Sequence, residues 1–236
     1  MNVEKLEWDS NFFGFLVYKI NISSPLELNS NLICNLFKNN VRLIYVFLEK
    51  GVISSDILAK VNGKLVDTKV IYSKKLEHIF LQKKSYITEF EGPYLDEKLF
   101  ELVFQSGEES RFKKDKLLPE GSFERLYTIW IEKSLKNSNT HKFFIYQLDN
   151  EIVGFISVEI KDKFGQIGLI AVDYSHRGKG IGKELLMKAE SFLFSKNIYE
   201  LRIPTQKTNN RACKFYEGCD YKVLNQTNIY HLHNID

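Results

Sequence analysis

A loop with three glycines at alternate positions is the part of the sequence best suited to chemistry. It lies in AVDYSHRGKGIGKELL, residues 171–186, where a strand pattern ends and a helical pattern begins. Gly178, Gly180 and Gly182 let the backbone approach a ligand closely, and the free N–H groups at the start of a helix favour negative charge. Arg177 and Lys179 add two cations. The loop therefore predicts a phosphate or diphosphate site, in preference to an ordinary glycine-rich turn.

Two other phosphate-binding loops do not fit these residues. A P-loop needs a glycine where the chain has Arg177 and a Ser or Thr where it has Glu184. The dinucleotide fingerprint needs a third glycine where the chain has Lys183, after a strand that is not part of an antiparallel meander. These departures disfavour a nucleotide triphosphatase and a Rossmann-type dehydrogenase.

The histidines and cysteines give no comparable signal. No pair of histidines has a third ligand in view at metal-site spacing, so we expect no metal at His141, His176, His231 or His233. Cys213 and Cys219 lack a paired histidine, which disfavours a cysteine nucleophile. Together with Cys34 they are widely spaced thiols, which favours a reducing, cytoplasmic location.

The composition is that of a folded chain with one large domain or two small ones. The 236 residues are 44% hydrophobic and 27% charged, which is too apolar for disorder. The net charge of +3 is spread along the chain, so no nucleic-acid partner is expected. The start, MNVEKLEWDS, lacks the apolar stretch of a secretion signal, and no run approaches the roughly 20 apolar residues that span a bilayer. We therefore expect neither export nor membrane insertion.

The first part of the chain predicts an α/β unit. Strand patterns at residues 16–22 and 41–49 enclose a helical pattern at residues 26–38, and together they make a βαβ unit. A short helix that opens at residues 54–56 and a strand at residues 64–76 complete this part.

The second part predicts two helices, a three-stranded meander and the glycine loop. The helical patterns lie at residues 95–106 and 122–136, and three antiparallel strands follow between residues 142 and 172. The elements after the loop are a helix at 183–196, a strand at 199–205, a helix at 209–218 and two final strands.

A connection that carries Gly92 and Pro93, at residues 82–100, is expected between the two parts. The predicted division is an N-terminal α/β half at residues 1–90 and a second domain at residues 91–236.

The loop and the helix downstream of it resemble the GNAT superfamily of N-acyltransferases. R-G-K-G-I-G follows the strand GLIAVD, and Asn209, Ala212 and Tyr216 match the pattern N-x-x-A-x-x-x-Y. The resemblance extends from about residue 140 to residue 230. It implies an α/β GNAT fold, a mixed and mostly antiparallel splayed sheet flanked by helices, here with an additional N-terminal α/β half. It also implies acyl-CoA as co-substrate and no metal.

The same resemblance implies an acyl-CoA site. Tyr216 would protonate the departing thiolate, with a core aromatic residue as the alternative interpretation. Asn209 would contact the CoA arm or only cap its helix. The strand main chain would bind the pantetheine arm and the loop would bind the diphosphate, through Leu169, Ile170, Ala171, Val172, Arg177, Gly178, Lys179, Gly180, Ile181 and Gly182.

A second resemblance includes the N-terminal part. The segments LEWDSNFFGF, SRFKKDKLLP and RLYTIWIEKS are similar to the TDP-fucosamine acetyltransferase group of GNAT enzymes. This resemblance implies a dTDP-linked 3- or 4-amino-dideoxyhexose as acceptor, in surface polysaccharide biosynthesis. It also implies that residues 1–90 hold the sugar-nucleotide pocket and that residues 91–236 are the acyl-CoA-binding catalytic domain. The acyl group would be acetyl or a longer one such as 3-hydroxybutyryl, and whether the chain forms a homodimer stays open.

Five side chains are candidates for the acceptor pocket. A guanidinium can grip a diphosphate and an aromatic ring can stack on a base or sugar, which favours Arg111 and Phe112, although a loop arginine beside a core ring is an equal alternative. Trp8 and Asp9 are better explained as packing residues. Glu159 is the candidate base for the attacking amine, but an ordinary surface carboxylate is the simpler interpretation, and water could take the proton instead.

The sequence thus favours an acyl-CoA-dependent sugar-nucleotide N-acyltransferase over two alternatives. Acylation of a protein, peptide or polyamine amine would leave the N-terminal segments without a role. A non-catalytic acyl-CoA-binding sensor would not need Tyr216.

Overall fold

Runs of β-branched and aromatic residues form the strands, and amphipathic runs form the helices. The computed structural model describes residues 1–77, 86–90, 92, 97–135 and 140–235. Its strands are β1 (Asn2–Lys5), β2 (Leu16–Ile22), β3 (Val41–Leu48), β4 (Gly63–Lys75), β5 (Ile87–Glu89), β6 (His141–Leu148), β7 (Glu151–Lys161), β8 (Phe164–Val172), β9 (Glu200–Gln206) and β10 (Lys222–His233). Its helices are α1 (Glu7–Phe13), α2 (Ser30–Lys38), α3 (Ser55–Lys60), α4 (Glu97–Ser106), α5 (Arg111–Lys114), α6 (Ser122–Leu135), α7 (Ile181–Ser195) and α8 (Asn210–Glu217). None of these helices is both long and apolar enough to cross a membrane.

The ten strands form one sheet in the order β1-β2-β3-β10-β4-β9-β8-β7-β6-β5. β2 pairs with β3 and β8 with β9 in parallel, and the other neighbours are antiparallel. The predicted βαβ unit and the meander of β6, β7 and β8 are confirmed. The sheet is mixed and mostly antiparallel, as expected.

The C-terminal strand was predicted as two strands, and that prediction is wrong. β10 is continuous and pairs with β3 on one side and β4 on the other. Register shifts occur between Val223 and Asn225 and between Ile229 and Tyr230. They bend the strand without ending it, because hydrogen-bond partners continue on its neighbours. β10 therefore joins β3 to β4, which are not neighbours in the sheet.

The helical pattern at residues 26–38 forms two elements instead of one. Pro25–Glu27 is a 3₁₀ turn, and α2 begins only at Ser30. Asn29 caps α2, because its Oδ1 accepts hydrogen bonds from the N–H groups of Asn31 and Leu32 at 2.9 and 3.3 Å. The capping asparagine sets the helix start inside an otherwise amphipathic run.

Three short elements at the sheet edges were not predicted: β1, α1 and β5. α1 ends at Gly14, which has φ 77°. Ser10 ties the helix to β2, because its hydroxyl oxygen accepts a hydrogen bond from the N–H of Val17 at 3.0 Å. A helix of 7 residues is too short for hydrophobic periodicity to detect.

The boundary near residue 90 stays a prediction. Pro93 and other residues of the predicted connection lie outside the described residues. The sheet itself runs from the N-terminal strands to the meander through β10, β4 and β9.

Helices cover both faces of the sheet around β7. On one face, Leu185 and Leu193 of α7 pack in a cluster with Ile156. On the other face, Phe155 packs in a cluster with buried residues of α4 and α6, among them Leu102. A central strand buried on both faces explains why β7 has a nearly continuous apolar sequence. Burial of each such side chain contributes about 1.5 to 3 kcal/mol to folding.

β8 and β9 separate after two residue pairs. Gly165 pairs with Leu201 and Gln166 with Arg202, and within the described residues the ladder between the two strands ends there. Beyond that point β8 still pairs with β7, and β9 with β4. The main-chain groups of residues 167–172 and 203–206 that face each other therefore border a gap. The predicted splayed sheet is confirmed.

Gly165 offers a test of the packing at the closed end of this gap. A Cβ at this position would lie 2.2 Å from Cδ1 and 2.9 Å from Cγ of Leu193, which is fully buried. We expect Gly165→Ala to lower the free energy of unfolding by about 1 to 3 kcal/mol, the usual cost of overpacking. Urea denaturation measures it.

The control is a double-mutant cycle with Leu193→Ala. In that background the alanine at position 165 has room, so its cost should largely disappear. An equal cost in both backgrounds would show that Leu193 is not the cause.

Candidate active site

The gap between β8 and β9 opens into a cavity of about 1110 Å³. One end is lined by β8, the glycine loop and α8. The other end is lined by residues of α1, β4, α5 and α6. Side chains from both parts of the chain therefore face one continuous space.

The loop that follows β8 is held at its start by Asp173. Lys98 Nζ lies 2.8 Å from Asp173 Oδ2, and the N–H of Ser175 donates to Asp173 Oδ1 at 2.9 Å. The hydrogen bond from Lys98, assisted by Ser175, holds the pKa of Asp173 well below its usual range. The carboxylate therefore stays ionised and anchors the loop to α4.

The three glycines of the loop have two different roles. Gly178 and Gly180 have φ 78° and 86°, and an added Cβ would find open space at both positions. A Cβ at Gly182 would lie 3.1 Å from Cζ of Phe215. Gly178 and Gly180 thus set the loop conformation beside the cavity, whereas Gly182 lets α7 pack closely on α8.

Of the two cations in the loop, Arg177 faces the cavity and Lys179 does not. Arg177 lines the cavity, where its Nε donates to the carbonyl oxygen of Val172 at 2.9 Å and its guanidinium lies 3.7 Å from the ring centre of Tyr174. Lys179 is exposed and is not a wall residue. The remaining residues predicted for the cofactor do line the cavity: Leu169, Ile170, Ala171, Val172, Ile181 and Asn209.

α8 brings a buried phenol to the cavity. Tyr216 is 4% exposed and forms part of the wall. Its ring lies 5.7 Å from that of Tyr72, and burial raises the pKa of its hydroxyl. The phenol is therefore protonated at neutral pH.

Asn209 caps α8, because its Oδ1 accepts from the N–H of Ala212 at 3.1 Å.

Arg111 and Phe112 line the opposite end. The Arg111 guanidinium lies 4.5 Å from the ring centre of Phe112 and 5.0 Å from that of Tyr45. Its Nε is buried without a hydrogen-bond partner among the described residues. Burial lowers the pKa of Arg111, opposed by Tyr45, Asp67 and Asp9. An arginine keeps its charge under these conditions, so a fixed cation with an unused donor lies at this end.

Asp67 is a site residue that the sequence analysis missed. It lies on β4, lines the cavity and is 9% exposed, and its Oδ1 has no hydrogen-bond partner within the described part of the chain. Burial raises its pKa to about 6, although Arg111 and Lys114 oppose the shift. The alternation of Asp67 and Lys69 on one face of a predicted strand was the available signal.

A match to a protein-family profile identifies the family of this chain. The profile of the Acetyltransferase (GNAT) family matches residues 103–221, half of the chain, from within α4 to the residue before β10. The chain belongs to the GNAT acetyltransferase family. Members of this family use acyl-CoA.

Relatives of this GNAT protein differ in how much of it they cover. The dTDP-fucosamine acetyltransferase of Escherichia coli O6:H1 is 25% identical over 217 residues, 91% of each chain. A streptothricin acetyltransferase of Escherichia coli is 31% identical over 77 residues, 32% of this chain and 44% of that protein. The GCN5-related N-acetyltransferase of Sphaerobacter thermophilus superposes with a TM-score of 0.58 over 98% of this chain and 76% of that one, at 16% identity. The last likeness concerns the fold alone.

The residues present in this GNAT protein suit acyl-CoA. The edge of β8 beside the gap offers main-chain groups to a pantetheine arm. The positive-φ glycines at positions 178 and 180 leave open space where a diphosphate would approach the start of α7.

Glu159, the predicted base, is not brought to the cavity. It pairs with His141 Nε2 at 2.9 Å and with Lys161 near the end of β7. Ser157, two residues before Glu159 on β7, bridges to β8, since its Oγ accepts from the N–H of Leu169 at 2.8 Å. The surface-carboxylate interpretation of Glu159 agrees with this placement.

Asp115 lies beside His231 and His233, although its position in the sequence does not connect it with them. Its Oδ2 lies 2.5 Å from His231 Nδ1 and 2.9 Å from His233 Nε2. Burial lowers the pKa of His231 to about 4, so that histidine is neutral at physiological pH. These separations are shorter than the roughly 3.3 Å between ligands of a tetrahedral zinc ion. They suit hydrogen bonds that tie the end of α5 to β10, and the absence of a metal stays a prediction.

Gly180→Val tests the loop. The variant places a β-branched side chain at φ 86°, where the backbone would meet a diphosphate, so we expect the dissociation constant for acetyl-CoA to rise about tenfold or more. Isothermal calorimetry measures it.

Gly121→Val is the matched control. Gly121 also has positive φ and open space around an added Cβ, but it does not line the cavity. It should carry a similar backbone strain with unchanged acetyl-CoA affinity. Equal affinities for the two variants would remove the loop from the binding site.

Proposed function

We propose that this GNAT protein transfers an acyl group from acyl-CoA to the amine of a dTDP-linked 3- or 4-amino-dideoxyhexose, for surface polysaccharide biosynthesis. One observation carries the proposal: the cavity continues from the glycine loop into an end lined by α1, β4 and α5. The similarity to dTDP-fucosamine acetyltransferase extends over 91% of each chain, well beyond the GNAT profile at residues 103–221. The proposal includes both acetyl-CoA and longer acyl-CoA molecules as donors, and it includes a cytoplasmic location. It is compatible with a monomer or a homodimer.

At the donor end, we assign the pantetheine arm to the main chain of β8 and the diphosphate to the loop from Arg177 to Gly182. The thioester supplies an activated acyl group. Main-chain N–H groups of residues 170–172 would polarise its carbonyl and stabilise the negative charge that develops on oxygen. Tyr216 is our candidate acid for the departing sulfur, because it lines the cavity and its phenol is protonated at neutral pH.

At the acceptor end, we assign the proton of the attacking amine to Asp67 instead of Glu159. A carboxylate with a pKa of about 6 is ionised at neutral pH and is a stronger base than an ordinary aspartate. Its unpartnered Oδ1 can accept from an ammonium group. Arg111 is the candidate for the acceptor diphosphate, because its Nε is an unused donor.

The two alternatives make less use of this cavity. The streptothricin acetyltransferase relative aligns with only 32% of the chain, so an antibiotic, peptide or polyamine acceptor leaves the α1 and β4 walls without a role. A non-catalytic sensor has no need for the buried phenol or for Asp67.

An acceptor panel tests the proposal. The protein is incubated with acetyl-CoA or 3-hydroxybutyryl-CoA and with dTDP-3-amino and dTDP-4-amino-dideoxyhexoses, spermidine, an N-terminal peptide or streptothricin. Release of free thiol is followed. We expect the highest kcat/KM with a dTDP-amino sugar. A higher value for any acceptor without a nucleotide would overturn the proposal.

Tyr216→Phe tests the acid. The variant keeps the ring and removes the hydroxyl, so turnover should fall by roughly 10² with little change in substrate KM. Tyr72→Phe is the control, because Tyr72 packs on Tyr216 but does not line the cavity, and it should turn over at the parent rate. Parent-like turnover of Tyr216→Phe would leave the phenol with a packing role.

Asp67→Asn tests the base against Glu159→Gln. In the parent, kcat/KM should rise with pH through about 6, because the base form of Asp67 populates above its raised pKa. In Asp67→Asn, the rise of kcat/KM through about pH 6 should disappear, and the rate should fall by roughly 10² or more. In Glu159→Gln, the pH dependence and the rate should equal those of the parent. The reverse result would restore Glu159 as the base.

The same variant provides its own control for folding. Because burial penalises the charged carboxylate, Asp67 contributes less stability as the pH rises through about 6. Asp67→Asn removes that penalty, so its free energy of unfolding at neutral pH should be at least equal to that of the parent. A rate loss without a stability loss then identifies a functional residue.

A further inference from the structure

We propose that Trp8 is the stacking platform for the nucleobase of the acceptor. This inference rests on the proposed function and goes further, because it assigns the part of a nucleotide that an acyl transfer does not use. From the sequence alone, a packing role is the simpler explanation of Trp8.

Three planar groups form a stack at the start of α1. The Arg125 guanidinium lies 4.7 Å from the ring centre of Phe12 and donates to the Phe12 carbonyl oxygen at 3.1 Å. The rings of Phe12 and Trp8 are 5.3 Å apart and nearly parallel, at 10°. Phe12 itself is buried. The stack therefore fixes the orientation of the indole.

The outer layer of this stack is open toward the cavity. Trp8 is 48% exposed and lines the cavity, as do Phe13 and Trp130. A residue that only pinned the N-terminus would gain most by burying both faces of its indole. A rigid indole that is half exposed in the cavity wall is instead suited to a planar partner, which loses little entropy when it joins an existing stack.

The charges beside Trp8 select the kind of planar partner. Asp9 is the next residue on α1. Its pKa is raised, because the effect of burial outweighs the opposing effect of the positive charge of Arg111. Arg111 and Trp8 thus belong to one end of the cavity. A ring on Trp8 joined to an anion at Arg111 is the chemistry of a nucleoside diphosphate.

The experiment compares two acceptors with and without a base: a dTDP-amino-dideoxyhexose and the corresponding amino-dideoxyhexose 1-phosphate. The measured quantity is the ratio of their kcat/KM values. Base–aromatic stacking is worth about 1 to 3 kcal/mol, or about 5- to 150-fold. We expect Trp8→Leu to lower the ratio by that factor through a higher KM for the nucleotide sugar, and Trp8→Phe to restore most of it.

Tyr86→Leu is the matched control. Tyr86 is 56% exposed and stacks on Tyr146 at 5.7 Å, but it lies outside the cavity wall. Its ratio should equal that of the parent. Acetyl-CoA affinity reports whether each variant is folded.

A direct measurement avoids substitution of Trp8. The chain has two tryptophans, so Trp130→Phe leaves Trp8 as the only one, and dTDP should quench its fluorescence while ribose 5-phosphate should not.

The outcomes separate the two proposals. If the parent acylates no nucleotide-linked amine, the proposed function and the platform fail together. If it does, but Trp8→Leu lowers both acceptors equally, or dTDP leaves the fluorescence of Trp8 unchanged, the platform alone is wrong.

Discussion

The early separation of β8 from β9 is the constraint on which the rest of the molecule depends. A parallel pair that breaks after two residue pairs leaves main-chain N–H and C=O groups inside the protein, where unpaired groups are costly. The arrangement persists because each strand keeps its other neighbour, β7 or β4, and because α7 packs against the closed end over Gly165. The main-chain groups that border the gap are those that we propose to bind acyl-CoA.

The second constraint is charge in a confined space. Asp9, Asp67 and Arg111 face the same end of the cavity, and burial shifts the pKa of each toward its neutral form. A well-packed apolar core would be more stable than this cluster of buried charged side chains. The protein instead holds Arg111 between aromatic rings and leaves Asp67 Oδ1 and Arg111 Nε unpaired within the described residues, as expected of a site that awaits polar groups from a ligand.

The sequence predicted what depends on local pattern and missed what depends on tertiary contact. Gly178 and Gly180, the cap at Asn209 and the βαβ unit follow from spacing and propensity, and they are in place. Asp67 looks like any alternating strand residue until burial raises its pKa. Glu159 pairs with His141 of the neighbouring strand β6, a contact between strands that the sequence of β7 alone does not show. Asp115 meets two histidines 116 and 118 residues away, a separation that no motif reports.

The position of β10 has a consequence for biosynthesis. β3 and β4 emerge from the ribosome early, but the strand that separates them is made after every other element. Until it arrives, both strands have an unpaired edge, which is a template for wrong pairing and aggregation. Closing the sheet also joins residues that are far apart in the sequence, such as Leu43 and His233, which slows folding. The open edges of β3 and β4 therefore persist until residues 222–233 have been synthesised.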